Sequence, residues 1–134
     1  MAPFITSALR PRFHALAATF VPEIAAAGPV EWAALEAVVE RALAERPAAM
    51  RRQLALFIRI LDLAARLRHG AGLAALDPER RTAFLERIAS SPVQLLRRGL
   101  WGLRTLVMLG WYTQPRVVAA LGYRASGAGW DARR

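Results

Sequence analysis

Residues 48–69 read AAMRRQLALFIRILDLAARLRH. Twenty-two residues without proline or glycine, bounded by Pro47 and Gly70, predict one long helix. On a helical wheel Arg51, Asp62, Arg66, Arg59 and Arg52 occupy an arc of about 100°. The remainder carries Leu54, Leu56, Phe57, Ile58, Ile60, Leu61, Leu63 and Leu67. A helix so widely apolar needs cover on several sides, so it is expected at the centre of an all-α bundle. Asp62 stands three residues after Arg59 and four before Arg66, the spacing of surface ion pairs. Gly70 is the expected C-terminal stop.

The rest of the chain shows the same punctuation and no useful strand alternation. A first helix is predicted from Pro11 to Val21, with Phe13, Leu16 and Phe20 on one face and Pro22 closing it. EIAAAGP reads as a loop. A second helix runs from Pro29 to Arg46, with Trp32, Leu35, Val39 and Leu43 inward and Glu36 and Glu40 outward. LDPERR opens a fourth helix, with Asp77 as N-cap and Pro78 as its first residue, ending near Ser90. SSPVQ opens a fifth, with Ser91 as cap, Pro92 first and Gln94 completing a capping box. It runs to about Gly110; WYTQP reads as a turn, and a short helix from Pro115 to Leu121 follows. The expected architecture is a compact bundle of five to six helices, one domain over 1–123 with the long apolar helix (about 48–69) central, and an irregular, glycine-rich basic tail at 124–134.

Composition narrows the function. The chain has 134 residues, no cysteine and a net charge of +9, and all its basic residues are arginine. Thiol chemistry, disulfides and cysteine metal sites are thereby excluded. Uncharged runs reach only about ten residues, half of what a membrane-spanning helix needs. No signal-peptide pattern opens the sequence, so the cytoplasm is the default compartment, with the periplasm as the weaker alternative. Charge is uneven. Glu23, Glu31, Glu36, Glu40 and Glu45 stand against Arg41 in residues 23–45. In residues 87–134 eight arginines stand against Asp131, so that end favours an anionic partner.

No catalytic constellation emerges. His14 and His69 lie at the ends of different helices and read as solvated. Glu36 and Glu40 share a face with nothing cationic nearby and read as a solvated acidic row. The glycines of HGAG and SGAG follow no strand, which removes a phosphate-loop reading. No active site, metal site or cofactor is expected in this chain.

The fifth helix carries the most informative surface. Its wheel places Leu95, Leu96, Gly99, Leu100, Leu103, Leu106, Val107 and Gly110 inward. The opposite face holds Gln94, Arg97, Arg98, Trp101, Arg104, Thr105 and Met108. Trp101 and Met108 thus stand one above the other among arginines. An exposed tryptophan leaves on the order of 150–250 Å² of aromatic surface in water. Four readings stay open for Trp101: cover by the tail and Trp130, docking to another protein, stacking on a nucleotide base, or contact with a membrane surface. Trp111, Tyr112, Tyr123 and Trp130 add aromatics, and Arg116 and Arg124 add charge. Arg97, Trp101, Arg104, Met108, Trp111, Tyr112, Arg116, Tyr123 and Trp130 form the candidate partner interface.

The order MRRQLALFIRILDL, then LAALDPERRTAFLERIASSPVQLLRRGLWGLRTLVMLGWYTQPRVVAALGY, resembles the gluconate 2-dehydrogenase subunit 3 family. These are small helical subunits found with bacterial flavin dehydrogenases of the glucose-methanol-choline type. The resemblance spans roughly Arg12 to Tyr123. Its most specific pieces are the helix starts at Leu76–Glu79 and Ser91–Pro92, the aromatic pair Trp111–Tyr112, Pro115, and ALGY at Ala120–Tyr123. It implies an accessory small subunit that stabilises, and helps to mature, a large FAD-dependent dehydrogenase or oxidase in a hetero-oligomeric oxidoreductase complex. FAD, substrate pocket and catalytic base would belong to that flavoprotein partner. Many members carry a twin-arginine export signal, which this sequence lacks. The alternative is a basic helical module binding nucleic acid, against which stands the absence of any recognition motif.

Overall fold

Proline, glycine and one aspartate set the helix boundaries in the computed structural model, which describes residues 3–114. Helix α1 spans Arg10–Phe20 and leads through a 3-10 turn, Pro22–Ala26, into α2, Pro29–Ala44. Helix α3 spans Ala48–His69 and stops at Gly70, whose φ of 75° needs a residue without a side chain. Helix α4 spans Pro78–Ala89, and the Asp77 carboxylate accepts from the Arg80 N–H at 3.3 Å. Helix α5 spans Gln94–Tyr112. It begins two residues later than the capping-box reading. Ser91 Oγ accepts from the Val93 N–H instead of capping the helix, and Trp111 and Tyr112 continue the last turn. The expected helix at 115–121 and the tail lie outside the described residues. The architecture is an all-α bundle, and no strand occurs among the described residues.

The centre of the bundle is α5, which packs against α1, α2, α3 and α4. Two glycines make this possible. A Cβ on Gly110 would sit 3.0 Å from the Leu35 carbonyl oxygen of α2. A Cβ on Gly99 would sit 2.8 Å from the Phe57 ring of α3. Leu100, Leu103, Val107 and Trp111 fill the interior, meeting Phe13, Leu16, Leu35, Val39, Ile58 and Leu61 in one core. Of the residues expected inward on α5, Leu95 is exposed.

Helix α3 differs from its expected central position. It buries Ile58, Leu61, Asp62 and Ala65 and leaves Leu56, Ile60, Leu63 and Leu67 in solvent. The apolar arc contains two stripes, and only one meets the bundle. Among the described residues, α1 and α5 are the helices that pack most against α3, and both lie on its buried side.

The polar residues are placed differently too. Asp62 points inward, with Arg12 Nε and Arg66 Nε each 3.1 Å from Oδ2. Its Oδ1 accepts from the buried Leu73 N–H at 2.9 Å. One carboxylate thus ties α1, α3 and the 70–77 connection. Arg81 makes a second tie, donating to Thr19 Oγ1 and to the carbonyls of Leu73 and Leu76. Burial lowers its pKa, with Asp77 acting in the opposite direction.

The acidic row of α2 is not a solvated face. Glu36 binds Arg10 Nε at 3.1 Å and His14 Nε2 at 2.8 Å, and His14 stacks on Trp32 with centroids 3.7 Å apart. Glu40 accepts from the backbone N–H groups of Phe4 and Ile5 at 2.8 and 3.4 Å. This latch holds Phe4, Ile5 and Leu9 in the core. Glu40→Ala is therefore expected to cost about 1–2 kcal/mol, because two backbone donors lose a charged acceptor. Chemical denaturation measures the cost, and faster proteolysis ahead of Leu9 should accompany it.

Candidate partner-binding surface

Helix α5 carries this surface because its period divides the sequence so sharply. The five buried residues of α5, Leu100, Leu103, Val107, Gly110 and Trp111, leave Arg97, Trp101 and Arg104 on the other side. Trp101 is 67 % exposed, so most of its ring lies outside the bundle. The Arg104 guanidinium carbon lies 5.9 Å from its ring centroid, at the outer limit of a cation–π contact. Arg97 reaches back to the Ser91 carbonyl at 2.6 Å, fixing the helix start. Thr105 Oγ1 donates to the Trp101 carbonyl at 2.9 Å, so its hydroxyl serves the helix backbone.

Trp101 stands at the rim of an open groove of about 690 Å³ between α1, α4 and α5. Phe20, Leu85 and Leu100 supply its apolar floor, and Arg97, Arg98 and Arg104 its cationic edge, with Glu86 the one carboxylate. The wheel of α5 could not show Phe20, Leu85 or Glu86, since they come from other helices. The sequence does hold one hint: Phe20 ends α1 on the apolar face that also carries Phe13 and Leu16.

The other candidates separate from this group. Trp111 is buried, with its indole Nε1 unpartnered, and Tyr112 and Met108 are half-buried against the core. They are packing residues of α5, so the expected Trp101–Met108 pair on one open face becomes Trp101 alone. Arg116, Tyr123 and Trp130 lie outside the described residues, as does any cover of Trp101 by Trp130. Gln114, buried at the end of α5, donates to the carbonyls of Glu31 and Gly110 at 3.1 Å each and fastens this end to α2.

His69 sits edge-on to Phe84 with Nε2 buried and unpartnered, which corrects its reading as solvated. Among the described residues no group of histidine and carboxylate side chains is arranged to hold a metal ion, and no helix is long and apolar enough to cross a membrane. The groove thus joins an apolar floor to a cationic edge. Compared with protein-family models, curated proteins and solved structures, the chain finds no match in any of the three.

Proposed function

We propose that the chain is a non-catalytic accessory subunit that binds and stabilises a larger protein through the α5 face. By its sequence resemblance, the partner is an FAD-dependent oxidoreductase of the glucose-methanol-choline type, and the flavin belongs to that partner. The supporting observation is Trp101, two-thirds exposed beside Arg104 at the edge of an apolar groove. A lone exposed leucine needs no explanation, but a tryptophan among arginines combines the two residue types that dominate binding hot spots.

Co-expression with the glucose-methanol-choline-type flavoprotein of the same genome tests the proposal. The two should co-purify, and the flavoprotein should be recovered in greater soluble yield than when expressed alone. Trp101→Ala should weaken the complex at least about tenfold. Because the side chain packs on little, the same change should alter the stability of the free chain by no more than about 0.5 kcal/mol. No co-purification, or equal affinity with and without the indole, contradicts the proposal. Salt-sensitive RNA binding that depends on Trp101 would favour the nucleic-acid reading.

A further inference from the structure

A second surface lies on α3, away from the Trp101 groove. Leu56, Ile60, Leu63 and Leu67 are 57, 46, 57 and 81 % exposed. Their spacing of four, three and four residues sets them in one stripe about 60° wide. This is the spacing of the seam between two paired helices. A row of large aliphatics in water marks an interaction site.

Charge says what covers it. Arg52, Arg59 and Arg66 recur every seven residues along one margin of the stripe, and all three are exposed. Arg52 and Arg59 make no ion pair among the described residues, and Arg66 keeps a side-chain exposure of 58 % while touching Asp62. The other margin holds Phe57 and Ala64, and Phe57 turns toward Gly99. Asp62, the helix's single carboxylate, is buried. The stripe therefore shows a partner a line of aliphatics, a line of cations and no exposed acid.

A second copy of the chain matches this poorly. Paired antiparallel, the arginine rows would face each other; paired parallel, they would face Met50, Phe57 and Ala64, with no counter-charge. A lipid surface also matches poorly. Interfacial helices present a broad apolar face, whereas this open stripe spans only about 60°, because Phe57 and Ala64 beside it pack against the core. We propose that α3 receives an amphipathic helix of another protein, with an apolar seam and a row of Asp or Glu opposite Arg52, Arg59 and Arg66. This holds whatever binds at Trp101.

The probes are two labelled synthetic helices of about 21 residues, three heptads, with leucine at the seam and glutamate or lysine at the flanking positions. Each is titrated with the full chain by fluorescence anisotropy. The glutamate helix should bind saturably, and the lysine helix at least about tenfold more weakly. Arg52→Glu with Arg59→Glu should reverse that preference. Ile60→Gln with Leu63→Gln should abolish binding without changing helicity or Tm, since both side chains face solvent. Trp101→Ala should leave the titration unchanged, which keeps this result separate from the α5 proposal. Equal binding of both helices, or none, overturns the inference. So does a sedimenting dimer that the glutamine pair dissolves, or tighter binding to vesicles of phosphatidylcholine and phosphatidylserine.

Discussion

Asp62→Ala is expected to destabilise the bundle by about 3 kcal/mol, at the lower end of the cost of breaking a buried ion pair. Three donors converge on this carboxylate: Arg12 and Arg66 on one oxygen, and the Leu73 N–H on the other. Their fates differ when it is removed. Arg12 and Arg66 have side-chain exposures of 28 and 58 %, so both can turn to water. The Leu73 N–H cannot, because Leu73 is fully buried, and an orphaned buried donor alone costs about 1–3 kcal/mol. Asp62→Asn keeps an acceptor for Leu73 and loses only the charge, so its cost should be about 1–2 kcal/mol. Urea denaturation orders the two variants, with an unchanged m-value for both if the denatured state is unaffected. Equal stability of Asp62→Ala and the parent chain would show that the 70–77 connection is held by other contacts.

Gly110→Val should cost about 2–3 kcal/mol by overpacking the α2–α5 crossing. The new Cβ would lie 3.0 Å from the Leu35 carbonyl oxygen and 3.1 Å from Leu35 Cγ. Relief requires the two helices to separate, because one obstacle is backbone. Separation would also pull Gln114 from the Glu31 carbonyl. Gly102, on the same helix, is the internal control, with nothing within 4 Å of the point a Cβ would occupy. Gly102→Ala should instead stabilise the chain by about 0.5–1 kcal/mol through helix propensity. Opposite signs at two glycines eight residues apart would distinguish close packing from a general effect of glycine removal.

Local chemistry made the helices legible. Pro29, Pro47, Gly70, Asp77 and Pro78 act within one turn of themselves, so α3 begins and ends where the sequence predicts. The division of α5 into a core face and an arginine face was equally readable, because its period is regular. The ranking of helices by burial was not. Residue counts on a wheel give the width of an apolar arc, not whether a neighbour exists to cover it. The position of α5 depends on Gly99 and Gly110, which look ordinary until Phe57 and Leu35 are placed against them. Contacts across long stretches were invisible for the same reason. Glu40 meets Phe4, and His14 meets Trp32 and Glu36, without any sequence-local signature. At the candidate site Arg97, Trp101 and Arg104 were recoverable from α5 alone, whereas the groove required Phe20 and Leu85 from two other helices.

The α5 face is the centre of the functional account, and side-chain oxidative footprinting tests it most directly. The chain is labelled with hydroxyl radicals alone and in complex with the flavoprotein. Trp101, open in the free chain, should lose most of its reactivity in the complex, while buried Trp111 should change little. Undiminished labelling of Trp101 in a stable complex would contradict it.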